Sequence, residues 1–183
     1  MAPSGQTNAP ALQALMADAA LAGDWTLDAS RSTVSLRSKS MWGLAPVKGV
    51  FRQASGQGTV SQAGDVSGTI TVNAASIDTK NKKRDTHLRS ADFFDSDTYP
   101  DITFTVDQAR PSGQGATVSG SLTVRDRTRP ITFDATVAAV SDSEISLDTE
   151  VPVNRTDFGL TWNQMGMASV HNTITVHAVF TKR

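Results

Sequence analysis

Seven stretches of this chain set apolar residues at every second position, with Thr, Ser or charged residues between them. Val34 and Leu36 alternate with Thr33, Ser35 and Arg37. Ile70, Val72 and Ala74 alternate with Thr69, Thr71 and Asn73, and Ile102, Phe104 and Val106 with Thr103, Thr105 and Asp107. The same period runs through 118–124, 131–137, 145–153 and 174–180. Successive side chains of a strand point to opposite faces, so each stretch reads as a strand with one dry face and one wet face. Turn-forming residues separate them: Ala63-Gly64-Asp65, Pro111-Ser112-Gly113, Arg127-Thr128-Arg129-Pro130 and Ser141-Asp142-Ser143. Connections that short join antiparallel neighbours. About eight such strands must bury one common apolar face with almost no helix to cover it. Closing the sheet on itself hides that face and abolishes exposed edges together. A barrel of about eight strands has an interior that side chains fill or that holds one small ligand. A two-sheet sandwich with a solid core satisfies the same periodicity.

Composition narrows the function. At 183 residues the chain is one domain's worth, and it contains no cysteine. That excludes disulfides, iron–sulfur clusters, thiolate zinc sites and cysteine nucleophiles. Seventeen Lys and Arg against eighteen Asp and Glu leave a net charge of −1. No nucleic-acid footprint or polybasic membrane patch is therefore expected. No apolar run approaches the roughly 20 residues of a membrane helix, so no integral membrane segment is expected either.

Residues 1–23 stand apart from the domain proper, 24–183. Met1 to Asn8 are small and polar and read as a loose tail. Leu12, Leu15, Met16 and Ala19 then fall at helical spacing, with Gly23 placed as the C-cap. No Lys or Arg precedes Arg31, and Gln13 and Asp18 interrupt the apolar run, so this is not the pattern of a secretory signal. A short amphipathic helix packed on the body, or closing an opening in it, is expected. A second break in the strand pattern lies at 79–99, where the chain is charged and Arg84, His87, Leu88 and Ala91 share a helical face. Ser90 and Asp92 look like the N-cap region of a second short turn carrying Phe93 and Phe94. A pair of short helices inserted between strands is the expectation.

Several pieces, in this order, resemble the YceI-like family over essentially everything after Asp24. Trp25-Thr26-Leu27-Asp28 is followed by Val47-Lys48-Gly49-Val50-Phe51 and Ser76-Ile77-Asp78-Thr79. The specific run is Arg84-Asp85-Thr86-His87-Leu88-Arg89-Ser90-Ala91-Asp92-Phe93-Phe94-Asp95, then Tyr99-Pro100-Asp101-Ile102-Thr103-Phe104. Gly120-Ser121-Leu122-Thr123-Val124 and Asn154-Arg155-Thr156-Asp157-Phe158-Gly159-Leu160 complete it. The resemblance implies an extended, lipocalin-like antiparallel barrel with a long apolar cavity for a polyisoprenoid, isoprenoid quinone or other long-chain amphiphile. It also implies homodimers in several members, a periplasmic location in many, and links to stress. Many members carry a His near the end of the first long strand, where this chain has Ser40 before Met41-Trp42-Gly43.

The expected function is non-catalytic binding, transport or storage of such a lipid, with no cofactor. Its rivals are a filled structural or stress barrel and, less favoured, an enzyme acting on an isoprenoid lipid. His87, His171 and His177 are not spaced as a metal site. There is no G-x-S-x-G elbow, and the apolar phase of the strands offers no acid–base pair. Candidate ligand contacts are Leu36, Trp42, Phe51, Phe93, Phe94, Phe104, Leu122, Phe133, Phe158, Trp162 and Met165. Met41, Trp42, Leu44 and Met165-Gly166-Met167 suit a lid at a barrel mouth. Arg84, Asp85, His87 and Arg155 are assigned to a polar network, either meeting a headgroup or, the preferred reading, anchoring the insertion with Arg155 or Asp157 as partners.

Overall fold

The alternating stretches are strands, and they close into a ring. The computed structural model describes residues 9–40, 45–113, 115–163 and 168–183. Helix α1 (Ala9–Ala17) precedes strands β1 (Gly23–Leu27), β2 (Thr33–Ser40), β3 (Ala45–Phe51), β4 (Ala54–Val60), β5 (Val66–Asn73) and the two-residue β6 (Ile77–Asp78). Helix α2 (Lys82–Arg89) follows, then β7 (Asp101–Ser112), β8 (Gly115–Val124), β9 (Arg127–Val140), β10 (Glu144–Asn154) and β11 (His171–Lys182).

Eight strands make the closed antiparallel barrel, in the order β1-β4-β5-β7-β8-β9-β10-β11, with β1 returning to pair β11 through Trp25↔Lys182 and Leu27↔Phe180. Three of its members break at one level and continue as an extension. β1 gives way to β2 across 28–32, β4 is preceded by β3 across Arg52-Gln53, and β5 passes to β6 through a 3-10 turn at Ala74–Ser76. β11 is long enough to pair β1 with one half and β2 with the other, and β3 and β6 add to β2 in turn. Hence an architecture of about eight strands contains eleven separate runs. α2 packs against β6 at the edge of this extension.

At the same end the opposite wall splays. β9 and β10 pair only over Thr136–Val140 and Ile145–Asp148, with a bulge between Ser146 and Leu147. The 3-10 turn Arg155–Phe158 and the segment after it fill the gap, with Phe158 and Leu160 buried. Two apolar clusters result. One, at the α2 end, holds Phe51, Phe93, Phe94, Leu122 and Phe158; the other, at the α1 end, holds Leu12, Leu21, Trp25, Ala116 and Val137.

Local expectations need correction in four places. α1 ends at Ala17, and the left-handed residue that follows is Ala19, so Gly23 is not its cap; Gly23 opens β1 at φ 138°. β9 begins at Arg127, and the tight turn is Arg125-Asp126, with Arg125 at φ 56°. Its guanidinium donates to the carbonyls of Ala91 and Phe93, which ties the hairpin to the insertion. The insertion holds one helix rather than two. Ser90 is the C-cap of α2, its N–H donating to His87 O, and Phe93 and Phe94 ride on turns.

Candidate ligand cavity

The inward phase of the strands encloses a cavity of about 670 Å³, inside the range of small-molecule sites. It extends from α1, where Leu12, Met16, Leu21 and Trp25 line it, to the α2 end, lined by Arg84, His87, Phe93, Arg155 and Trp162. Exposure shows that this interior is hollow. Phe104, Ile131, Phe133, Ile174 and Val176 all face inward, yet each is only half-buried. A solid core would cover such side chains on every side.

Small residues make part of the room. The inward positions of β4 are Ala54, Gly56, Gly58 and Val60, and Gly58 lies opposite Gly68 of β5. With no side chain at either glycine, the cavity reaches the strands themselves around Gln57–Thr59 and Ser67–Thr69. Phe104 of β7 and Phe133 of β9, whose strands flank β8 in the wall, meet with ring centroids 5.4 Å apart.

Of the residues singled out from the sequence, Leu36, Phe51, Phe93, Phe94, Phe104, Leu122, Phe133, Phe158 and Trp162 line the cavity. Trp42 and Met165 lie outside the described residues, as do Met41, Leu44 and Gly166-Met167 of the suggested lid. A helix packed on the body or closing an opening in it is expected from the sequence, but Leu12, Met16 and Leu21 are not among the candidate ligand contacts, nor are the inward polar residues Ser38, Thr149 and Asn172. The signal was present: Ser38 continues the phase of Val34 and Leu36, and Asn172 begins that of Ile174 and Val176. The Oγ1 of Thr149 donates to Asp134 O across the splayed wall.

The polar network divides into three. Asp85, buried, accepts from the backbone N–H and hydroxyl of Thr79. Arg84 donates from Nε to Thr79 Oγ1 (2.9 Å) and from Nη2 to Thr79 O (3.0 Å), while Asn81 caps the helix by accepting from Arg84 N. His87 pairs with Asp92 at 2.9 Å and stands edge-on to Trp162, centroids 4.5 Å apart. Arg155 donates to four carbonyls, those of Ser169, Leu160, Trp162 and Ala168, and its guanidinium lies 5.8 Å from the Phe93 ring centroid. Neither Arg155 nor Asp157 is the partner of Arg84; Thr79 is.

Arg155 is 8% exposed, and burial pushes its pKa below the ordinary guanidinium value. Arginine starts so high that it remains a cation. Among the described residues no carboxylate lies within ion-pair distance of Arg84 or Arg155. None lines the cavity either. The hollow is thus walled mainly by apolar side chains, with the buried Arg155 and the part-buried Arg84 at the α2 end and the exposed Arg110 bordering the other.

A closed, up-and-down barrel around an apolar hollow defines the class: a lipocalin-like barrel. Residues 25–181 match the YceI-like domain, and the chain belongs to that family. It is 31% identical over 130 residues to the protein YceI of Escherichia coli O157:H7, covering 69% of this chain and 68% of that one. Its fold is similar to the crystal structure of Burkholderia cenocepacia BcnA, with a TM-score of 0.74, 28% identity and coverage of 84% and 98%. A Saccharophagus degradans protein, titled a polyisoprenoid binding domain implicated in plant cell wall breakdown, shares the fold at TM-score 0.70 and 17% identity, covering 87% and 98%.

Proposed function

We propose that this chain binds, carries or stores a long-chain lipid of isoprenoid or isoprenoid-quinone type without transforming it. The observation that carries the reading is the hollow: about 670 Å³ walled by inward apolar side chains that remain incompletely buried. A structural barrel with no ligand would have filled that space, since voids in a packed core are destabilising. The fold shared with the S. degradans polyisoprenoid binding domain is in keeping with an extended isoprenoid chain. Arg84 and Arg155, with Asn172 and Ser38, supply donors for a polar headgroup at the α2 end. The lipid is the only non-protein group this reading requires.

Native mass spectrometry of the purified protein, with organic extraction of what it carries, is the test. An adduct with the mass of a long-chain lipid, recovered in the extract, is expected. A protein that carries none, and takes up none from vesicles doped with prenyl lipids, sinks the carrier reading.

A further inference from the structure

We infer that α1 is the end wall of the tunnel, and that Leu12, Met16 and Leu21 set how long a chain the barrel accepts. The inference rests on the lipid-binding reading and adds a specificity determinant from outside the matched family domain, which begins at residue 25.

The cavity does not stop at the strands. Leu12, Met16 and Leu21 line it, and Leu12 and Leu21 are 5% and 2% exposed within a cluster with Trp25, Ala116 and Val137. The two ends of the hollow are chemically unlike. Arg84, Arg155, Ser38 and Asn172 gather by α2, whereas α1 and the segment after it contribute Leu12, Met16, Leu21 and Trp25 to the lining, and Arg110 of β7, which also borders the cavity at this end, is exposed on its strand. A lipid therefore enters with its polar head by α2 and its tip against α1, because burying a head among unpartnered apolar groups carries a large penalty.

The wall is fastened rather than hinged. The indole N–H of Trp25 donates to Leu21 O at 2.9 Å, and the ammonium of Lys182 donates to Ala20 O at 3.0 Å. Both contacts tie the segment after α1 to the seam where β1 meets β11. With the head fixed at one end and a fastened apolar stop at the other, the distance between them measures the chain.

The test uses the full chain and a homologous series of prenyl alcohols: geraniol, farnesol, geranylgeraniol and geranylfarnesol. Each competes against a fluorescent apolar probe, with folding checked by circular dichroism. Leu12→Ala with Met16→Ala removes six heavy atoms from the wall, on the order of one five-carbon unit, because partial collapse takes back some of the room. The preferred alcohol should move one member longer. Leu12→Trp should move it one member shorter, and it keeps the test decisive if the double variant fails to fold. An unchanged preference in a folded variant overturns the end wall while leaving lipid binding intact. Faster exchange at unchanged preference also overturns it, since α1 would then be a door. Failure of every alcohol to bind the unmodified chain overturns both readings.

Discussion

Asp28 sits where β1 has ended and β2 has not begun, and its carboxylate holds the break together. It accepts from Ser30 N and Oγ and from Arg31 Nε, while Arg31 reaches across to Glu144. The hydrogen bonds from Ser30, then Arg31, lower the Asp28 pKa from 3.8 to about 2. A carboxyl whose folded pKa is depressed stabilises the fold above its unfolded pKa and ceases to do so as pH falls through the folded one. Acid titration of stability should therefore show a component lost between about pH 4 and 2. Asp28→Asn should remove that component, and added salt should shrink it, because the group is exposed. Asp85 is different, being buried and holding both donors of Thr79. Asp85→Ala leaves those donors unmatched and should lower unfolding free energy by about 1–3 kcal/mol, measured in denaturant. The sequence marked Arg84, Asp85 and His87 as one cluster, yet their partners differ. Residues three apart share a helical face, so Arg84 and His87 both reach the cavity while Asp85 turns to β6's end. Partners such as Thr79 and Asp92 were not legible, since nothing in their own spacing marks them.

At the scale of strands, legibility followed side-chain size. β5, β7, β8, β9, β10 and β11 announced themselves through Ile, Val, Leu and Phe on one phase. β4 did not, because its inward residues are Ala54, Gly56, Gly58 and Val60, and glycine contributes nothing to an apolar period. The second helix expected around Phe93 failed for a similar reason: Ser90 is as good a terminus as a beginning, and it ends α2. The β7–β8 pair supplies a test. The register shifts between Val106 and Gln108, and beside it a Cβ at Gly120 would lie 2.1 Å from Thr105 O and 2.8 Å from Phe104 Cζ. Gly120→Ala must push the strands apart and should destabilise by about 1–3 kcal/mol in thermal or denaturant unfolding. Phe133→Trp, on the wall facing the hollow, should behave in the opposite way. Melting should change little while the preferred ligand shortens, because the added ring enters space that is open. An early melt with unchanged ligand preference would place Phe133 in a filled core.

For the whole molecule, the all-β character followed from the alternation, whereas the choice of a closed barrel over a sandwich came with the family resemblance, and the hollow did not follow from periodicity at all. Periodicity reports which face is dry and says nothing about whether the dry side is full; only the half-buried state of inward residues such as Phe104 and Ile174 distinguishes the two. The extension at the α2 end was equally hidden, since it depends on three strands breaking at one level. The pairing of β1 with β11 has a consequence for synthesis. These are the first and last of the eight barrel strands in sequence, so a ribosome delivers β11 after the other seven. Until it arrives, β1 lacks that partner, β10 keeps one edge bare, and the apolar wall of every earlier strand stands open to water. Free edges beside exposed apolar surface are the condition under which chains join one another. The final strand is therefore also the molecule's safeguard against aggregation while it is being made, and nascent chains stalled before residue 171 are the ones that should need a chaperone.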